Sequence, residues 1–170
     1  MSEAVTLPEL LPGAPAGCVD GDRHFYMVRA YFEDTDLSGV VYHANYLRWF
    51  ERARSDLLRL LGIDQRAVHE AGGGAYAVTE MHIRYAAPAR LDDEVLIVSR
   101  VEELGAASCR MVQLAFRKDV LLAQARLRVG FVGPDGRPRR QPAAWRAAFD
   151  RFLASSCPAT TPPSTTTGPR

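Results

Sequence analysis

Two aspartates, Asp34 and Asp36, stand just ahead of the run Val40-Val41-Tyr42-His43-Ala44-Asn45-Tyr46, and Gly39 frees the backbone between them for a tight turn. The apolar periodicity that follows predicts a helix whose first turn falls near Tyr42 to Asn45. The first amides of a helix have no intrahelical acceptor and carry partial positive charge. A carboxylate seven to nine residues earlier can fold back over that end. Such a pairing suits acyl transfer: the donors hold a carbonyl oxygen, and the carboxylate attacks the carbon or deprotonates a water. The same residue types also cap helices and complement their dipoles, so a structural role for Asp34 or Asp36 competes with chemistry. His43 alone reads more readily as a hydrogen-bonded structural histidine than as a catalyst. Glu51, with Arg48, Arg54 and Ser55 at neighbouring helical spacings, reads as a solvated ion pair. His69 and His82 share no ligand spacing with other candidates, so no metal site is expected.

The elements that must position these groups are legible from periodicity. Tyr46, Trp49, Phe50, Ala53, Leu57, Leu60 and Leu61 recur at three- and four-residue spacings, which predicts an amphipathic helix from about Ala44 to Leu61, stopped by Gly62. Arg48, Glu51, Arg52, Ser55, Asp56 and Arg59 form its polar face. A buried strand is expected from His24 to Phe32, and a short helical piece after Asp64, an N-cap type. Four strand-like runs follow: Tyr76 to Tyr85, with Ala77, Thr79, Met81, Ile83 and Tyr85 on one side; Glu94 to Leu104; Ser108 to Arg117; and Leu121 to Val132, with Leu121, Ala123, Ala125, Leu127, Val129 and Phe131 inward. Short connections favour antiparallel neighbours. Pro142 to Leu153 predicts a short C-terminal helix. The architecture expected is α+β: one antiparallel five-stranded sheet against one long helix. Residues 1–22 read as an irregular arm, 23–154 as the domain, and 155–170 as a low-complexity tail.

The totals narrow the class. The 170 residues fit one domain, and a net charge of +1 with no basic stretch argues against nucleic acid as a partner. Cys18, Cys109 and Cys157 are odd in number and far apart, which fits reduced thiols in a cytoplasmic protein. The N-terminus lacks the pattern of a secretory signal, and no run of apolar residues reaches membrane-spanning length.

The whole string Y-F-E-D-T-D-L-S-G-V-V-Y-H-A-N-Y-L-R-W-F-E-R-A-R resembles the signature of the hotdog-fold acyl-CoA thioesterases of the 4-hydroxybenzoyl-CoA thioesterase type, in particular the subfamily encoded with the bacterial Tol–Pal envelope system. R-Y-A-A-P-A-R-L-D-D-E-V and G-F-V-G-P-D-G-R-P-R-R-Q-P resemble later segments of that family, so the resemblance spans roughly His24 to Phe152. It implies a sheet wrapped round the long helix and assembly as a homodimer or dimer of dimers. It also implies an acyl-CoA or acyl carrier protein thioester as substrate, with no cofactor. By the same resemblance Asp36 is the catalytic carboxylate and the His43 backbone amide polarises the thioester carbonyl. Tyr42 and Asn45 lie beside the acyl group, and Gly39 keeps the turn. Two other readings stay open: a hotdog hydratase or dehydratase acting on acyl thioesters, and a non-catalytic acyl-CoA-binding or envelope-associated protein.

Overall fold

In the computed structural model, which describes residues 15–155, a single sheet curls round one long helix. The chain runs β1 (Cys18–Asp20), β2 (Arg23–Arg29), α1 (Asn45–Leu60), α2 (Gln65–Glu70), β3 (Ala75–Tyr85), β4 (Glu94–Leu104), β5 (Ser108–Arg117), β6 (Val120–Val132) and α3 (Ala143–Ala154). The sheet has six strands in the order β1-β2-β4-β5-β6-β3, each antiparallel to its neighbours. The sixth strand corrects the expected count of five. β1 pairs with β2 inside what reads as an irregular arm, so that arm does not extend to residue 22. Residues 1–14 and 156–170, where the rest of the arm and nearly all of the expected tail fall, lie outside the described residues.

The helix sits where its apolar stripe requires. Tyr46, Trp49, Phe50, Ala53 and Leu57 are all buried. Ala115, Ala123 and Ala125 are fully buried in the same cluster as Trp49 and Phe50, and their small side chains let the helix approach the sheet closely. A second cluster joins Leu57 and Leu58 to Met111, Leu127 and Phe131. Trp145, Phe149 and Phe152 of α3 close that end.

The edges depart from the periodic reading. Leu60 is exposed, whereas Asp56, expected on the polar face, and Arg54, expected beside Glu51 in a solvated ion pair, are buried. In β3 a bulge between Val78 and Glu80 changes the phase of the strand. Tyr76 therefore packs on Phe131 and Trp145, while Ala77 and Thr79 leave the inward set. A bulge at Ala115/Phe116 likewise makes Leu122 the buried residue rather than Leu121. The strand expected to reach Phe32 ends at Arg29, because the backbone of Ala30 turns to bond Asp92 and Asp93 and Phe32–Asp34 coils into a 3-10 turn.

Candidate active site

The loop ahead of α1 is fixed through Asp34. Its carboxylate accepts the Tyr31 amide at 2.8 Å and caps the 3-10 turn. Its carbonyl accepts twice, from the Tyr42 amide at 2.8 Å and from the Asn45 side-chain amide at 2.8 Å. Buried Asn45 thus ties the loop to the first turn of the helix. The Asn45 side chain, expected beside an acyl group, is turned inward to the Asp34 carbonyl.

Asp36 opens a tight turn. Its amide donates to the Val40 carbonyl at 3.0 Å, and the Gly39 amide returns to the Asp36 carbonyl at 3.0 Å. Gly39 has φ of +74°, and a Cβ there would meet nothing within 4 Å. The residue is needed for backbone conformation, not for close approach. The Asp36 side chain is exposed and accepts from both the amide and the hydroxyl of Ser38. These two bonds, the hydroxyl first, hold its carboxyl below the usual value of 3.8, with a smaller contribution from the nearby His43. Asp36 is therefore an ionised, solvent-facing carboxylate at neutral pH.

Neither aspartate caps α1: no side chain bonds its N-terminal turn. Tyr42 donates to Asp34 and Asn45 to the Tyr42 carbonyl, but the intervening amides of His43 and Ala44 have no hydrogen-bond acceptor among the described residues. Two free N–H donors thus stand at the positive end of a 16-residue helix. The exposed His43 ring lies 4.4 Å from the Tyr42 ring, centroid to centroid, and 6.2 Å from that of Tyr85 in an edge-on arrangement.

Tyr85 is the residue that sequence reasoning missed. It sits at the end of edge strand β3, and its hydroxyl donates to the His43 carbonyl at 3.0 Å. Its ring also meets Tyr46 edge-on at 5.5 Å. Burial raises its phenol above the usual value, so it stays a donor through the neutral range. Tyr85 and His43 line a shallow groove of about 290 Å³ with Val40, Tyr46, Ala87 and Pro88. The only advance signal was its place in the R-Y-A-A-P-A-R segment. Among the described residues, no cluster of His, Cys, Asp and Glu is arranged to hold a metal ion.

Comparison with known proteins assigns this arrangement to a family. The profile of the thioesterase-like superfamily matches residues 31–153, from the loop before the 3-10 turn to the end of α3. The chain belongs to that superfamily. An acyl-CoA thioester hydrolase of Escherichia coli, YbgC, is 39% identical over 124 residues, covering 72% of this chain and 92% of its own length. An acyl-CoA thioesterase of Haemophilus influenzae, also YbgC, is 39% identical over 107 residues, covering 63% of this chain and 79% of its own. Among solved structures, a probable thioesterase from Bartonella henselae superposes with a TM-score of 0.66 at 35% identity, covering 71% of this chain and 99% of that one. The superfamily match begins after β1 and β2, so Gly17 and His24 lie outside the matched segment.

Proposed function

We propose that this protein hydrolyses an acyl-CoA thioester to a free acid and coenzyme A, with Asp36 as the reacting carboxylate and the His43 amide as the oxyanion donor. One observation carries the reading: an ionised, exposed carboxylate and an unpaired helix-start amide are held by one hydrogen-bonded loop, Asp34 to Asn45. Asp36 removes a proton from water as the hydroxide adds to the thioester carbon. The carbonyl oxygen takes the negative charge and is held by the His43 N–H. Collapse of the adduct breaks the C–S bond, and the thiolate leaves with the proton. In the alternative route Asp36 itself adds to the carbon, the thiolate leaves, and water then cleaves the resulting anhydride. Label from oxygen-18 water found in Asp36 after a single turnover identifies the anhydride route, since general-base hydrolysis puts water oxygen only in the product acid. The chemistry uses no metal or redox cofactor.

Release of thiol across acyl-CoA and acyl carrier protein thioesters tests the activity. Free thiol supports hydrolysis. Loss of an enoyl thioester without thiol would indicate hydration, and binding with no turnover a carrier or sensor.

Tyr85 acts through the backbone. By donating to the His43 carbonyl it fixes the peptide plane that carries the Ala44 N–H and holds the first turn in place. Tyr85→Phe keeps the ring contacts and loses one neutral hydrogen bond, worth roughly 0.5–1.5 kcal/mol. The expected result is a fall in kcat of about 2- to 10-fold with KM unchanged. A change in KM alone would show that the hydroxyl meets substrate instead.

A second copy of the chain is the proposed partner. Among the described residues the outer edge of β3 has no neighbouring strand, and Val78 and Tyr85 of β3 and Leu47 of α1 are exposed. An open edge next to apolar surface favours pairing with a symmetry-related copy. Light scattering should give a mass at least twice that of one chain. A single-chain mass at micromolar concentration would contradict it.

A further inference from the structure

A second cavity lies farther along α1, apart from the groove at its start. Leu57 and Leu58 of α1, Val78 of β3, Met111 of β5, Val129 of β6 and Phe149 of α3 wall it. Its volume of about 80 Å³ is several times what one water molecule needs. We infer that this cavity receives the tail of the acyl group, and that the substrate class is the thioester of a linear aliphatic acid of about twelve carbons or more. The inference rests on the thioester-hydrolase reading above and names the substrate for that site.

Both hollows are bounded by α1 on one side and β3 on the other. His43 and Tyr85 meet at the first, and Leu57, Leu58 and Val78 at the second. The two hollows thus bracket His43 to Leu57 on the helix side and Tyr85 to Val78 on the strand side. Ile83 and Met81 are the half-buried inward residues of β3 along the way. At 1.5 Å per residue, Glu51 lies about 12 Å along the helix from His43, and Leu57 about 21 Å. An extended carbon chain advances roughly 1.2 Å per bond by the geometry of an extended backbone. About ten carbons therefore reach the mouth of the cavity, and longer chains enter it. A short acyl group or a single aromatic ring ends in the groove beside Tyr85.

The lining also suits hydrocarbon. Glu51 and Arg54 at its mouth form an ion pair and cancel each other's charge. Arg54 is anchored to Gln113 at 2.6 Å, and Gln113 in turn donates to the Phe50 carbonyl and the Ser99 hydroxyl. Glu51 is the exposed partner of the pair and also accepts from the Ser55 hydroxyl at 3.3 Å. Burial pushes the Cys109 thiol on the wall up to about 12, so it stays uncharged. The Tyr76 hydroxyl is engaged by Gln141. A methylene buried among these walls gains about fourfold in affinity over one left in water.

The test compares butanoyl-, dodecanoyl-, tetradecanoyl- and benzoyl-CoA on the wild-type chain, on Val78→Trp, which fills the cavity from the exposed edge strand, and on Val129→Ala, which enlarges it. In the wild type, kcat/KM should rise from butanoyl to tetradecanoyl. Val78→Trp should lower the tetradecanoyl-to-butanoyl ratio by about tenfold or more, the equivalent of a few methylenes. Val129→Ala should move the preferred length upward. If Val78→Trp unfolds, as circular dichroism would reveal, the Val129→Ala shift decides alone. Thiol release with a ratio unmoved by both substitutions, or a wild-type preference for butanoyl- or benzoyl-CoA, overturns the cavity assignment and leaves hydrolysis standing. No thiol from any thioester overturns the hydrolase reading itself.

Discussion

Asp36→Asn should lower kcat for thioester hydrolysis by about 10²–10⁴-fold, the usual contribution of a positioned acid or base, while the fold survives. The side chain is exposed and makes no core contact, and an asparagine oxygen can still accept from the Ser38 amide. The substitution therefore removes the charge and the basicity but spares the turn. The pH dependence follows from the same geometry. The ionised form is the reactive one, and the Ser38 bonds hold the carboxyl below 3.8. The rate should therefore show no acid limb traceable to Asp36 between about pH 5 and 8. Steady-state thiol release on wild type and variant, with circular dichroism as the control for folding, checks both points. A folded variant with undiminished kcat would remove Asp36 from the reaction.

Asp56→Ala should cost about 3–5 kcal/mol of stability, since it removes two hydrogen bonds to one buried carboxylate at roughly 1.5–3 kcal/mol each. Asp56 projects from α1 into the sheet and is 5% exposed. One carboxylate oxygen accepts from both the His24 ring nitrogen at 2.9 Å and the Gly17 amide at 2.9 Å. His24 is fully buried, and its other ring nitrogen has no partner among the described residues. Truncating Asp56 leaves the remaining nitrogen stranded as well, and it frees the segment that leads into β1. A Cβ at Gly17 would fall 2.2 Å from the Phe25 carbonyl and 2.8 Å from the Asp56 carboxylate, so the chain passes there only as glycine. For a chain of this size the loss corresponds to a drop of about 6–20 °C in Tm. Differential scanning calorimetry reads it directly, and a Tm within about 2 °C of wild type would show that the pair contributes little.

These two aspartates mark what a linear reading can and cannot reach. The apolar period of α1 and the alternation in β4 were legible because burial repeats with the geometry of the element itself. The acidic loop and the free helix start were legible because residue types and spacing coincide with a local turn. Asp56 fell on the polar side of the same periodic pattern and Arg54 read as a neighbour of Glu51 in a solvated ion pair, yet both are buried. Their partners, His24 and Gln113, lie 32 and 59 residues away, and no local pattern records such a contact. β1 is three residues long and too short to alternate. The bulges in β3 and β6 shift the phase of otherwise regular strands, which reversed the facing of Tyr76 against Ala77 and of Leu122 against Leu121. Asn45 was placed near the substrate by resemblance, whereas its amide serves the Asp34 carbonyl. Tyr85 reaches the site from 42 residues beyond His43, a closeness that only the pairing of the edge strand creates.

The central claim is that a thioester carbonyl lies between the Asp36 carboxylate and the start of α1. A crystal structure of Asp36→Asn with a slowly hydrolysed acyl-CoA tests this most directly. The predicted result is a carbonyl oxygen about 3 Å from the His43 amide nitrogen, within hydrogen-bonding range, with the carbonyl carbon facing residue 36. A thioester bound on another surface, or turned so that its oxygen points away from the helix start, would contradict the account.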